Sequence, residues 1–261
     1  MTVTFISGAT GGIGKAFAFA CALKGYDLFL TGRSEEKLTA LKEEIENGYG
    51  VSVEIFPCDL TDKEERAALL DFAKSKQFIV ERIVNVAGVD TQLAFKDYSA
   101  EKLIFQLRVN VEATLYLTHG LLELKKDNAE VITISSMSGV SPMPYFAVYS
   151  GTKALLTNVF TSLHYELKKD GVKVTTVLPG GVYTRPDIVE QIKEQGLWGK
   201  LSAKTPEFVA ERSLKAVKKN KMIYVPGGFN KLLYFLMKIA PKRIVLGFIA
   251  KRWKTQKKDA F

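Results

Sequence analysis

Thr2-Val-Thr-Phe-Ile-Ser-Gly8-Ala-Thr-Gly-Gly12-Ile-Gly14-Lys15 opens the chain, and its reading decides the fold. Residues 2–6 are a short β-branched and aromatic run of strand length. They lead without a break into a glycine-rich turn. Lys15-Ala-Phe-Ala then opens an apolar helical pattern. Glycines at 8, 12 and 14 let the backbone turn tightly and approach a diphosphate closely. The N-terminus of the following helix offers N–H donors and the positive end of its dipole. A glycine motif alone is weak, but one set between a first strand and a first helix is far more specific.

Outward from this turn, strand-length apolar runs at 2–6, 27–31, 51–56, 82–86, 130–135, 172–178 and 222–225 alternate with helical patterns. The helices are predicted near 13–24, 35–46, 63–74, 98–123, 145–169 and 206–219. The strand runs are nearly continuous in Val, Ile, Leu and Phe, as strands buried on both faces should be. Such alternation predicts an α/β fold: one doubly wound domain, a parallel seven-stranded sheet with helices on both faces. No linker of Pro, Gly and Ser divides the chain. Residues 1–228 read as the nucleotide-binding, catalytic domain and 229–261 as a basic, apolar helical extension.

The second strand runs into Gly32-Arg33-Ser34. A site preferring NAD(H) usually places Asp or Glu here to bond the ribose 2′-hydroxyl. A carboxylate repels a 2′-phosphate, whereas a guanidinium pairs with it. Arg33 therefore predicts NADP(H). Farther along, Ser136 precedes Tyr149-Ser-Gly-Thr-Lys153. The Tyr-x-x-x-Lys spacing puts both side chains on one helix face, one turn apart. An ammonium beside the phenol is expected to bring its pKa down from about 10 toward neutrality, making a general acid/base.

Taken in order, Gly8-x-x-x-Gly12-x-Gly14, Asn85-Val-Ala-Gly88, Asn110, Ser136, Tyr149-x-x-x-Lys153 and Pro179-Gly-Gly-Val-Tyr-Thr184 resemble the short-chain dehydrogenase/reductase family over residues 2–225. The resemblance implies a Rossmann fold and an NADP-dependent oxidoreductase interconverting a carbonyl and a secondary alcohol. It makes Tyr149 the proton donor, Lys153 its modulator and a ribose contact, and Ser136 the group that orients the carbonyl oxygen. Asn110 holds a water linking Lys153 to solvent. It further implies cofactor contacts from Gly8, Thr10, Gly11, Gly12, Ile13, Gly14, Asp59, Leu60, Asn85, Ala87, Gly88, Asn110, Tyr149, Lys153, Pro179, Gly180, Val182 and Thr184, besides Arg33. Assembly as a homodimer or homotetramer, through the helices holding Asn110 and Tyr149, is implied as well. Ser7 stands where the family has Thr, and Val86 replaces a second Asn.

The 261 residues are 47% hydrophobic and 25% charged, ample for a core. Residues 1–211 sum to −4, while residues 212–261 hold 14 Lys and Arg against one acid, Asp259. Such asymmetry points to an anionic surface or ligand. Cys21 and Cys58 fit no metal spacing and read as buried free thiols of a reducing cytoplasm. His119 and His164 lie on separate helices without ligand-spaced partners, so no metal is expected. A strand beginning at residue 2 leaves no room for a signal peptide.

Met137, Met143, Pro144, Tyr145, Phe146, Tyr183, Ile188, Leu197 and Trp198 border the predicted substrate entrance and suggest an apolar or amphiphilic substrate, a 3-oxoacyl thioester or a hydroxysteroid. Ser135, Ser138 and Ser141 read equally well as loop residues. In the tail, 231–240 and 243–253 form two short basic, apolar helices broken at Pro241. Neither approaches the roughly 20 residues of a spanning helix. They suit peripheral contact with an anionic membrane, or packing over the cleft or against a partner subunit. No nucleic-acid motif is present. Two other functions remain open: an NADP(H)-sensing or scaffolding protein docking through its tail, which the complete Asn110/Ser136/Tyr149/Lys153 set argues against, and an isomerase or epimerase using the same Tyr–Lys pair.

Overall fold

The computed structural model describes residues 1–194 and 196–253. Seven parallel strands form one sheet: β1 (Thr2–Ser7), β2 (Asp27–Gly32), β3 (Val53–Pro57), β4 (Ile79–Asn85), β5 (Lys125–Ile134), β6 (Lys173–Val177) and β7 (Ile223–Tyr224), in the order β3-β2-β1-β4-β5-β6-β7. The order reverses between β1 and β4. In such sheets this switch point opens a crevice beyond the strands' carboxyl ends.

Alternating side chains on the strands feed two cores. Leu28 and Leu30 of β2 join α1 (Gly12–Ala22), α2 (Glu35–Tyr49) and α9 (Pro206–Lys218) on one face, through Phe17, Leu38, Ile45 and Leu214. Phe29 points the other way, with Val3, Phe5 and Ile83, toward α3 (Lys63–Ser75), α5 (Ala113–Leu122) and α6 (Ala147–Glu166) through Leu69, Leu117 and Phe160. Each fully buried side chain of this size contributes about 1.5–3 kcal/mol. At the amino end of the sheet, buried Arg82 donates to Glu130 at 2.8 Å and to Thr4 at 3.0 Å, and its guanidinium lies 4.4 Å from the Tyr26 ring centroid.

Three expectations need correction. The helix predicted over 98–123 is α4 (Ala100–Leu107), a π-helical turn (Arg108–Glu112) and α5. The turn carries Asn110, a residue committed to partners off the helix. Two helices lie after Pro179 where none was predicted, α7 (Pro186–Glu194) and α8 (Gly196–Ser202). β4 starts at Ile79 and β5 at Lys125, earlier than their apolar runs, because charged residues occupy the entry of each strand. The tail forms α10 (Gly228–Ile239) and α11 (Lys242–Trp253), separated at Ala240 and Pro241; residues 254–261 of the expected extension lie outside the described residues. Both cysteines are free and buried.

Candidate active site

The turn after β1 is packed too tightly for side chains. Gly8 sits at φ +64°, and a Cβ on Gly14 would lie 2.1 Å from the Gly8 carbonyl oxygen. Ser34, Asp62, Ser99 and Thr205 cap the N-termini of α2, α3, α4 and α9 with side-chain oxygens. Helix α1 has no side-chain cap and no acidic residue in its first turn. Its leading amides are thus left to another acceptor, which is what an anion-binding helix end requires. The Ser7 hydroxyl accepts from the amides of Val86 and Ala87 at 3.1 and 3.3 Å, tying the turn to the segment after β4.

The other expected cofactor residues line the same carboxyl edge. Arg33 is exposed directly beyond β2, and Thr10 packs beside Gly32. Asp59 follows β3, and one of its carboxylate oxygens accepts from the Thr61 amide and hydroxyl. Leu60 is buried and its carbonyl accepts from Arg66. The Asn85 side chain turns inward, its Nδ2 donating to the Thr118 and Thr133 hydroxyls. Beyond β6, Pro179 accepts from the Met137 amide, Val182 bridges to Lys204, and Thr184 crosses Gly12 so closely that a Cβ there would lie 3.0 Å from its Cα.

Ser136 follows β5 and Tyr149 and Lys153 lie in the first two turns of α6, and the fold brings the three together. The Ser136 hydroxyl accepts from the Ser138 amide at 3.1 Å and lies near enough to the Tyr149 phenol to lower its pKa. Phe146 stacks on the Tyr149 ring with centroids 4.5 Å apart. Tyr145, beside it, takes the left-handed conformation at φ 63°, uncommon for a bulky residue. Lys153 is buried, donates to the Ile134 carbonyl at 2.8 Å, and has its Nζ 5.7 Å from the Tyr149 ring centroid. Ser135 is structural, bonded to the Lys153 carbonyl and to Thr157.

The electrostatics differ from the expectation. Burial, then the Asp90 carboxylate, hold the Tyr149 phenol above its ordinary range, against the lowering effect of the Ser136 bond. Burial pushes Lys153 down to about 8, with Asp90 opposing. The lysine does not bring the phenol toward neutrality, because its ammonium is itself desolvated and spends a hydrogen bond on Ile134. The phenol is therefore a held proton at neutral pH.

Asn110 joins these parts. Its Oδ1 accepts from the Val89 amide at 2.7 Å, and its Nδ2 donates to the Val89 carbonyl and to the Thr152 hydroxyl. The side chain thus clamps the segment after β4 to α6. A Cβ on Gly88 would lie 3.3 Å from Lys153 Nζ and 3.4 Å from Asn110 Oδ1. Sequence reasoning missed Asp90, which acts on both Tyr149 and Lys153 and faces Arg185 at 3.9 Å across the entrance. No spacing announced it; only its place one residue beyond Val89 could have.

Beyond Pro179 a cavity of about 620 Å³ is lined by Tyr183, Thr184, Arg185, Pro186, Val189, Glu190 and Lys193, not by Ser136, Tyr149 or Lys153. Trp198 packs edge-on against Phe229, at 5.2 Å, and near Phe248, at 6.1 Å, so it joins α8 to the tail. Leu197 is exposed.

A nucleotide crevice at the β1/β4 switch point, with a hydroxyl, a phenol and a buried lysine gathered beyond β5, defines a dinucleotide-dependent oxidoreductase class. Residues 2–195 match the short chain dehydrogenase family, and the chain belongs to it. It is 30% identical over 225 residues to an oxidoreductase of Staphylococcus saprophyticus that is itself uncharacterised, covering 85% of this chain and 94% of the relative. Among solved structures it resembles a 7β-hydroxysteroid dehydrogenase, at 26% identity and a TM-score of 0.87, over 95% of this chain and 96% of that one. It also resembles the L-sorbose reductase of Gluconobacter frateurii complexed with NADPH and L-sorbose, at 25% identity and a TM-score of 0.76, over 87% and 95% of the two chains.

Proposed function

We propose that this oxidoreductase uses NADP(H) to interconvert a carbonyl and a secondary alcohol on an apolar or amphiphilic substrate, with Tyr149 as acid/base. The observation that carries the reading is buried Lys153, tied to the Ile134 carbonyl with its Nζ 5.7 Å from the Tyr149 ring centroid, next to Ser136 at the end of β5 and to Asn110 bonded to α6 at Thr152. NADPH, when bound, supplies the hydride. The glycine cradle and the uncapped start of α1 fit its diphosphate, and exposed Arg33 fits a 2′-phosphate. The NADPH complex of the L-sorbose reductase supports the same choice.

In the reductive direction, Tyr149 holds its proton at neutral pH and passes it to the carbonyl oxygen as negative charge develops there. The Ser136 hydroxyl donates to the same oxygen, and both interactions strengthen toward the transition state. Lys153 keeps the phenol's surroundings cationic below about pH 8. Asn110 fixes the segment carrying Gly88 and Asp90 against α6.

Of the two substrate classes, the hydroxysteroid one is favoured by likeness to the 7β-hydroxysteroid dehydrogenase along nearly the whole chain, tail included. Residues 1–228 act as the catalytic unit, and 229–253 form an extension braced on α8 through Trp198 and Phe229. Copies associate through α4, α5 and α6, where Ile104, Leu107, Tyr116 and Leu155 are exposed. NADPH oxidation is measured with keto-steroids, 3-oxoacyl thioesters and ketoses, each also with NADH. Turnover on keto-steroids with NADPH is expected. Turnover on none of the three, or a preference for NADH, defeats the corresponding part of the reading.

A further inference from the structure

The tail has a second face that the catalytic reading does not use. On α10, Leu232, Phe235, Leu236 and Ile239 fall at i, i+3, i+4 and i+7, on one side, and are 44–62% exposed. On α11, Ile244 is exposed at 67%; Phe248, one turn on, leaves 56% of its surface exposed although one side of its ring lies near Trp198. The opposite side of α10 is anchored: Asn230 is buried, and Leu233, Tyr234 and Met237 are half-buried. Lys231, Lys238, Lys242, Arg243 and Lys251 are exposed along the same two helices. No Asp or Glu occurs from 212 to 253, and among the described residues no ion pair engages these five cations.

We propose that the outer face of α10 and α11 docks in the plane of an anionic lipid surface. Water penalises an apolar face of this size, so something is expected to cover it. A second copy meeting it about a twofold axis would bring each cationic rim against its twin, since such an interface sets one patch against itself. An anionic bilayer interface rewards both features. The apolar side chains enter the headgroup and acyl boundary, while Lys and Arg meet lipid phosphates. Neither helix crosses: each has 12 residues, Pro241 stands between them, and no helix among the described residues is long and apolar enough to span a membrane. Because α10 packs on α8, docking sets the lipid surface beside the substrate segment. That consequence rests on the apolar-substrate reading; the docking itself does not.

The test is co-sedimentation of the full chain with vesicles of phosphatidylcholine and phosphatidylglycerol in equal parts, and with phosphatidylcholine alone. Binding to the mixed vesicles, at least tenfold weaker on phosphatidylcholine alone and weakened by salt, is expected. Phe235→Ser with Ile239→Ser, and separately Lys231→Glu with Lys238→Glu, should each reduce that binding at least tenfold while circular dichroism and thermal midpoint stay those of the parent. No binding by the parent chain, equal binding to both vesicle types, or binding unchanged in both variants overturns the proposal. So does a serine variant that dissociates an oligomer of the parent in solution, which would show a second copy covering the face. NADPH turnover is read separately in detergent-free buffer, so loss of docking and loss of the enzymatic reading are distinguishable.

Discussion

The Lys153 ammonium donates to the Ile134 carbonyl at 2.8 Å while its Nζ stands 5.7 Å from the Tyr149 ring centroid. The lysine is thus tied to the end of β5, the strand that also delivers Ser136. Proton donor and hydroxyl partner are held from one strand end and one helix. Removing the phenolic oxygen should therefore disable chemistry without disturbing the crevice. Tyr149→Phe is expected to lower kcat by about 10²–10⁴, the usual worth of a positioned acid, with NADPH affinity within a few-fold of the parent. Steady-state rates and NADPH fluorescence titration check it. A variant that keeps most of its turnover would remove Tyr149 from the mechanism.

Burying Lys153 also leaves a signature in stability. Its folded pKa, about 8, lies below the value of 10.5 it would have when exposed. Between those two pH values the unfolded chain holds a proton that the folded chain has shed, so stability rises with pH. Below about 8 both states are protonated and the burial penalty is fully present. Relative to Lys153→Met, the parent should gain on the order of 3 kcal/mol from pH 8 to 10.5. Urea unfolding of both proteins across that range measures it. A constant difference would mean that the folded lysine is not depressed.

Asp90 lifts the pKa of both Tyr149 and Lys153. Asp90→Asn removes that charge, so both values fall. Alcohol oxidation needs Tyr149 deprotonated, and its alkaline-rising limb should move to lower pH in the variant. The kcat/KM profile for oxidation reports this directly. Movement to higher pH would show that Asp90 acts mainly through its contact with Arg185.

Arg33 is exposed at the end of β2, with no carboxylate in the Gly32–Ser34 stretch. Arg33→Ala should raise KM for NADPH about tenfold, in line with an exposed charge-assisted contact of roughly 1.5 kcal/mol. KM for NADH should hardly change. Equal effects on the two cofactors would place Arg33 outside the 2′-phosphate contact.

Much of this was legible in the sequence because the fold repeats a simple rule. Most strands carry an apolar run, and the first turn must be glycine where Gly14 meets the Gly8 carbonyl. The Tyr149–Lys153 spacing likewise fixes a face of α6. What escaped depends on contacts distant in sequence. Nothing in Arg108–Glu112 signals a π turn, whose residue Asn110 bonds Val89 and Thr152. The charge on Tyr149 is set by burial and by Asp90, neither of which a four-residue spacing encodes. Helix α8 was missed because Gly196 and Gly199 interrupt its seven residues, and α7 because its nine residues follow Pro179 too closely to read as more than substrate lining.

The tail's attachment rests on Asn230, whose amide donates at 2.8 Å to both the Ser202 and the Pro226 carbonyls. It also lies so near Gly180 that a Cβ there would sit 2.9 Å from its Nδ2 and Oδ1. One buried side chain therefore links α8, the strand β7 exit, α10 and the segment after β6. Asn230→Ala leaves two buried carbonyls without a donor, a cost of about 1–3 kcal/mol. Asn230→Asp should cost more, because a carboxylate cannot donate and faces two carbonyl oxygens. Thermal midpoints should rank parent, then Ala, then Asp. The KM for NADPH should rise in the same order, since Gly180 loses its backing. An aspartate variant as stable as the alanine one would mean that the amide is not the donor both carbonyls depend on.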